Sequence, residues 1–180
     1  MEIVRRVVSD DLHAEEVAAL RDLFDTAWRN KDSEFGEEDH RHAFGGTHFI
    51  VEREGRIVSH GSVIARELHT GDLRLTTGYV EAVATLPSRQ GRGHGSTVMR
   101  AIGEHIDRTF QLGALDTGIP GFYEPFGWFV WKGPTFVRMD RGPEPTPEED
   151  GSVLVRRTST TPDIDPTAPL SCDWRDGDVW

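Results

Sequence analysis

The residues best placed to do chemistry lie in one run, residues 80–95, Val-Glu-Ala-Val-Ala-Thr-Leu-Pro-Ser-Arg-Gln-Gly-Arg-Gly-His-Gly. An apolar strand enters a turn with glycines at 91, 93 and 95, and the turn opens a helix. Alternate glycines let the backbone come close to a ligand, and the unbonded N–H groups of the helix start face it. That is anion chemistry, with a phosphate-bearing molecule as the first expectation. A dinucleotide fingerprint needs parallel strands, whereas the strands before this turn read as antiparallel, and the Lys and Ser/Thr of a nucleotide P-loop are missing. A glycine turn of purely structural purpose is the plain alternative. Glu81 is the one carboxylate in the apolar part of the run. A charge there is costly unless it is paired or faces a wet cleft, and strand alternation puts it on one face with Tyr79 and Val83. A strand-end glutamate in solvent is the alternative.

The elements that must position these residues follow from periodicity. Residues 2–8 alternate as a first strand, and Asp10 or Asp11 is expected to cap a helix with the apolar stripe Val17, Leu20, Leu23, Phe24, Ala27. A polar, acidic stretch after Trp28 reads as a loop and a short helix ending at Gly45-Gly46. Residues 48–52, 56–68 and 73–86 read as an antiparallel three-strand meander, and 96–110 as a helix with Val98, Ile102 and Ile106 on one side. A short strand at 114–115, a turn of helix at 121–126 and an aromatic strand at 128–131 follow. Prolines 143, 145 and 147 make residues 141–150 a loop, and 152–157 a last strand. The tail, residues 172–180, carries two tryptophans and is expected to be tied down rather than frayed.

At 180 residues and 36% hydrophobic content the chain is expected to be one soluble domain, with a small extra lobe as the alternative. No apolar run reaches the ~20 residues of a membrane span, and residues 1–8 are too short and charged for a signal peptide, so the cytoplasm is the expected location. The single cysteine, Cys172, rules out an internal disulfide and a cysteine-cluster zinc site. His40 and His42 beside Asp39 diverge on a short helix, so no metal is expected. A net charge of −11 opposes nucleic acid and anionic membrane as partners and favours a small cation, or simply keeps the chain soluble.

Three pieces in order, Val83-Ala84-Thr85-x-Pro87, Gln90-x-x-Gly93-x-Gly95 and Phe122-Tyr123-Glu124-Pro125-Phe126-Gly127-Trp128, resemble the GNAT superfamily of acetyl-CoA-dependent N-acetyltransferases. Gly78-Tyr79-Val80-Glu81, Gln111-Leu112-Gly113-Ala114-Leu115, Gly133-Pro134-Thr135 and the tail Cys172-Asp173-Trp174-Arg175-x-Gly177-Asp178-Val179-Trp180 are similar to the aminoglycoside 2'-N-acetyltransferases of mycobacteria and related bacteria. This resemblance implies an α/β GNAT fold over residues 1–180, with a mixed, mostly antiparallel central sheet flanked by helices and the tail 171–180 folded into the active site. It implies acetyl-CoA as co-substrate, held by backbone groups of Val83, Ala84 and Thr85 and by the turn Gln90, Gly91, Arg92, Gly93, His94, Gly95. By position, Glu34, Asp39, Glu81, Ala82, Asp116, Glu148, Glu149, Asp178 and Trp180 would face a cationic aminoglycoside or polyamine. Glu81 and the Trp180 carboxylate would act on the attacking amine through water, and Tyr123 would donate a proton to the departing thiolate. For Tyr123 a plain core aromatic is the alternative, and for each acid a solvated surface. Asp116 stands where the family usually has a serine. By analogy a homodimer is expected. Two rival readings stay open: a GNAT enzyme for another polyamine, amino sugar or peptide amine, and a non-enzymatic module that binds acyl-CoA or sequesters a cation.

Overall fold

The computed structural model describes residues 3–29 and 35–180. The chain forms two compact units, Met1–Ile64 with Val80–Ile102, and Ala65–Tyr79 with Gly103–Trp180.

In the first unit, β1 (Val4–Val8) pairs antiparallel with β2 (Thr47–Arg53), and β2 with the first part of β3 (Arg56–Thr70). The hairpin between β2 and β3 turns on Glu54 and Gly55, both at positive φ, the pairing of conformations that matches the twist of adjoining strands. Helix α1 (Ala14–Trp28) buries Leu20, Leu23 and Phe24, the stripe read from the sequence. Its cap is His13 rather than Asp10 or Asp11, which belong to a 3-10 turn over Ser9–Asp11. Glu16 accepts from the His13 N–H at 2.9 Å, so the helix start is closed by a residue three positions inside it. A short helix, α2 (Glu37–Ala43), precedes β2. The unit is completed by the later residues of β4 (Leu73–Thr85) and the start of α3 (His94–Thr109). Gly61 on β3 marks how closely α3 packs here, since a Cβ would stand 2.8 Å from Ile102 Cδ1 and 3.1 Å from Val98 Cγ1.

The second unit is a mixed, mostly antiparallel sheet. It adds β5 (Leu112–Asp116), α4 (Pro120–Tyr123), β6 (Phe129–Val130), β7 (Thr135–Met139), β8 (Gly142–Pro145), β9 (Val153–Arg157) and β10 (Leu170–Asp173). Strand β5 is parallel to β4 over three pairs, Thr77–Leu112, Gly78–Gly113 and Tyr79–Ala114, and antiparallel to β9. Strand β10 lies between β3, antiparallel, and β7, parallel. The core gathers Tyr79, Leu112, Trp131, Val155, Leu170, Cys172 and Trp180. Trp131 satisfies its indole N–H on the Ala168 carbonyl at 2.8 Å.

Two expectations are corrected here. Residues 142–145, read as loop on account of their prolines, form β8, which among the described residues pairs only with β7. An edge strand has one side without ladder bonds, so Pro143 and Pro145 are tolerated. Strands β7 and β10 were not foreseen, because their pairing is parallel and joins segments 35 residues apart. No helix among the described residues is long and apolar enough to cross a membrane.

Candidate active site

Within the first unit the strand-turn-helix of residues 80–95 has the form its sequence demands. Leu86 N–H bonds the Val58 carbonyl at 3.0 Å, Pro87–Arg89 make one 3-10 turn, and the chain reverses through Gly91 at φ +72° and Gly93 at φ +87°. Only glycine adopts such angles without strain. Above both of them an added Cβ would meet nothing within 4 Å, so the backbone is open to a ligand. Thr97 N–H returns to the Gly93 carbonyl at 3.0 Å, which leaves the N–H groups at the first positions of α3 without intrahelical acceptors. A phosphate fits this cradle, where the helix dipole adds a partial positive charge. Of the two flanking arginines, Arg89 is drawn to Glu54 at 2.9 Å, so Arg92 is the one left exposed beside the turn. Gln90 turns its amide back to the Thr85 carbonyl at 3.2 Å and so helps shape the turn.

The preceding strand is irregular at one point. Ala82 sits at φ +50°, a left-handed conformation that costs a residue with a Cβ about 1–2 kcal/mol. Side chains of β3 take the carbonyls around it: Ser62 on Glu81, His60 on Ala82 and Ser59 on Ala84, at 3.3, 2.9 and 3.0 Å. Glu81, Ala82 and Val83 are half-buried, and Ala84 is buried. Asp39 accepts the Gly36 N–H at 2.7 Å and so closes the start of α2. Glu34 lies outside the described residues.

Within the second unit the structure brings together Asp116, Glu149, Asp178 and Tyr123. Asp116 ends β5, and its Oδ1 is buried with no hydrogen-bond partner among the described residues. Burial raises its carboxyl above the usual range, and the charge of Asp178 adds to the effect against a hydrogen bond from Ser152. Glu149 lies in the 3-10 turn Pro147–Glu149, where Ser152 Oγ bonds its carbonyl at 2.9 Å and its Oε2 at 3.2 Å. Burial first, then the charges of Asp116 and Asp178, push its carboxyl up to about 7. Carboxylates held this close cannot all ionise cheaply. Glu148 next to it is exposed. Tyr123, at the end of α4, is buried against Phe122, with ring centroids 4.9 Å apart. Its phenol is pushed up to about 12 by burial, eased by a hydrogen bond with Thr117 and reinforced by the charge of Asp116.

The tail is tied down through one of its two tryptophans, Trp180, while Trp174 is 54% exposed. Trp180 is 2% exposed, and its indole N–H reaches Thr146 Oγ1 at 3.0 Å, which in turn bonds Thr135 Oγ1 at 2.8 Å. Arg175 holds the carbonyls of Asp178 and Trp180 at 2.6 and 3.0 Å, and Arg66 holds those of Asp173 and Val179 at 3.1 and 2.7 Å. Both guanidiniums lie over the Tyr79 ring, 4.6 Å from its centroid for Arg66 and 5.7 Å for Arg175. Trp180 N–H also bonds Asp178 Oδ1 at 3.1 Å, which fixes that carboxylate. Sequence reasoning missed Ser152, Thr117, Arg66 and Arg175, whose roles depend on tertiary neighbours with no local signature.

A GNAT acetyltransferase domain model matches residues 10–130. An aminoglycoside 2'-N-acetyltransferase of Mycolicibacterium fortuitum is 36% identical over 98% of this chain and 91% of its own length. Among solved structures, a GNAT family acetyltransferase from Brucella melitensis in complex with acetyl-CoA superposes at TM-score 0.61 with 15% identity, over 94% of this chain and 96% of its own. A probable N-acyltransferase from Enterococcus faecalis superposes at TM-score 0.59 with 17% identity over 76% of this chain, which spans only 33% of that longer protein. The structural likenesses establish the fold; the domain model and the full-length relative establish the kinship, and the chain belongs to the GNAT acetyltransferases.

Proposed function

We propose that this chain transfers the acetyl group of acetyl-CoA to the 2'-amine of an aminoglycoside. The observation that carries the reading is the identity to an enzyme of that name across nearly the full length of both chains. The carboxylates of Asp116, Glu149 and Asp178 support it, because aminoglycosides carry several ammonium groups. At an effective dielectric of about 20, one such pair at 4 Å is attracted by roughly 4 kcal/mol before desolvation.

Acetyl-CoA, when bound, supplies an acetyl group activated as a thioester. The open cradle of Gly91 and Gly93 and the start of α3 suit its pyrophosphate, and backbone groups of Val83, Ala84 and Thr85 would hold the pantetheine arm. Glu81 takes the proton of the attacking amine through water. Tyr123 stays protonated, since its phenol is pushed up to about 12. A phenol held protonated in this way would face the leaving sulfur as an O–H donor, the role the resemblance assigns to Tyr123.

The test is the product. Incubation of a 2'-amino aminoglycoside with acetyl-CoA should give, by mass spectrometry, a single added acetyl and, by NMR, an amide at the 2' position. Acetylation elsewhere, or equal turnover of a substrate lacking the 2'-amine, would sink the regiochemistry.

A further inference from the structure

The chemistry above leaves a row of buried polar side chains in the first unit without a role. His60 and His48 are both 0% exposed. His60 Nδ1 lies 2.9 Å from the Ala82 carbonyl oxygen, His60 Nε2 lies 2.9 Å from His48 Nδ1, and His48 Nε2 lies 2.8 Å from Ser9 Oγ. Phe24 and Phe44 wall off the two imidazoles, with ring centroids 4.9 Å from His60 and 5.4 Å from His48.

The far end of this chain sets its direction. A carbonyl can only accept, so His60 carries its proton on Nδ1, and its Nε2 in the neutral ring accepts from His48 Nδ1–H. The Nε2 of a neutral His48 then accepts in turn from the Ser9 hydroxyl. Ser9 Oγ also lies 2.9 Å from the Gly46 carbonyl oxygen, but the Ser9 N–H already serves that oxygen at 2.9 Å, so the hydroxyl proton can turn to His48. With both rings neutral, the chain runs from Ser9 inward to Ala82. A carbonyl has no proton to hand on, so the chain cannot conduct protons. It holds an atom in place.

The atom it holds belongs to the irregular residue of β4. A peptide is planar and trans, so its C=O and N–H point in opposite directions. The bond from His60 to the Ala82 carbonyl therefore aims the Val83 N–H away from the side chains of β3, and the bond from Ser62 to the Glu81 carbonyl does the same for the Ala82 N–H. In a regular strand successive N–H groups alternate. At Ala82, with φ +50°, two successive carbonyls reach β3 side chains, and two successive N–H groups are left on the other side. Consecutive N–H groups so arranged form an anion-binding nest.

We infer that His60, held by His48 and Ser9 and assisted by Ser62, is the positioning residue of a backbone oxyanion site formed by the N–H groups of Ala82 and Val83. The inference rests on the reading of this chain as an amine acetyltransferase. In that reaction the amine lone pair forms the C–N bond while the carbonyl π pair moves onto oxygen. As that pair returns, the C–S bond breaks, CoA leaves as the thiolate, and the amine proton passes to base and finally neutralises the thiolate to the thiol. The transient negative charge on oxygen is what the two N–H groups would meet.

Steady-state kinetics on wild type, His60→Leu, His60→Asn and Ser62→Ala, with histidine-selective ¹⁵N NMR on the wild type, test it. Removing one oxyanion donor typically costs 10²–10³ in kcat, so His60→Leu, which misaims a donor without deleting it, should lower kcat by about thirtyfold with both KM values within about twofold. His60→Asn places an amide N–H where Nδ1–H stood and should return to within about threefold of wild type. Both histidines should appear as neutral Nδ1–H tautomers. Wild-type kcat in His60→Leu, equal impairment of the Leu and Asn variants, or an Nε2–H tautomer at His60 would overturn the inference. If His60→Leu does not fold, Ser62→Ala decides: a loss of about threefold confined to kcat supports the inference, and no change overturns it. A wild-type protein that acetylates no amine counts against the acetyltransferase reading, and the tautomers then decide for or against the relay on their own.

Discussion

A cation that enters the group of Asp116, Glu149 and Asp178 should drive a proton off Glu149. That carboxyl is pushed up to about 7, by burial first and by neighbouring charges second, so close to half of it is protonated at neutral pH. An ammonium at 4 Å and an effective dielectric of about 20 contributes roughly 4 kcal/mol, or about three pKa units, and takes the group down to about 4. Binding at pH 7 should therefore release about half a proton, and at pH 6 about 0.9. For a ligand whose own charge does not change in that window, affinity should fall about fivefold between pH 7 and pH 6.

Calorimetric titration of a polyamine or 2'-amino aminoglycoside into the protein without acetyl-CoA, in two buffers of different ionisation enthalpy, reads the proton count directly. Glu149→Gln should abolish the buffer dependence between pH 6 and 7 and flatten the affinity profile. Release below about a tenth of a proton at pH 7, or the same release in the variant, refutes the reasoning. The shift also has a stability consequence. A carboxyl raised in the folded state contributes stability that is fully present below its unfolded value near 4.5 and is lost as the pH rises through about 7.

His48 and His60 carry the opposite sign. Burial depresses them to about 4 and about 3, so they stay neutral in the fold, whereas the unfolded chain takes up protons below about 6.5. Stability is lost as the pH falls through that window, by about 2 kcal/mol per imidazole between pH 7 and pH 5, and urea unfolding of wild type and His48→Gln at the two values should differ by that amount. Trp180→Ala removes a side chain that is 2% exposed and takes the indole donor from Thr146 Oγ1; about 3–5 kcal/mol of stability should go, seen as a lower thermal midpoint. Tyr123→Phe should lower kcat about tenfold or more and leave the KM for acetyl-CoA unchanged, and unaltered kcat would remove Tyr123 from the reaction. Gly93→Ala forces a Cβ into φ +87°, so it should raise the KM for acetyl-CoA and cost about 1–2 kcal/mol in urea unfolding.

The sequence made the nucleotide-binding half of this picture legible because that half is local. Alternating glycines between a strand and a helix predict positive φ and helix-start N–H groups without intrahelical acceptors, and Gly91, Gly93 and α3 have this form. The acidic half was readable only through resemblance, since Asp116, Glu149 and Asp178 lie on separate strands and turns and meet only after β9 pairs with β5 and the tail is clamped by Arg66 and Arg175. The strands β7 and β10 escaped for a related reason: four-residue and five-residue segments in parallel register have no hairpin signal between them. His48 and His60 did leave a trace. Each interrupts an apolar strand, before Phe49-Ile50-Val51 and after Ile57-Val58, at positions where alternation alone gives no reason for an imidazole.

Burial pushes the groups in these two places away from charge. Burial keeps two imidazoles neutral beside Ala82, their hydrogen bonds form a complete chain, and the site is finished before any ligand arrives. The carboxylate group in the second unit is not finished. Glu149 is held partly protonated, and although Asp116 takes hydrogen bonds from Ser152, Thr117 and Glu149, its Oδ1 is buried with no hydrogen-bond partner among the described residues, so both have room for a positively charged N–H donor. A buried acceptor left unmet costs about 1–3 kcal/mol, and a primary ammonium supplies both the charge that ionises Glu149 and a donor for Asp116. A quaternary ammonium supplies the charge alone. On the proposed reading the cluster would favour amines that still carry hydrogen on nitrogen, which is also the condition for an amine to be acetylated.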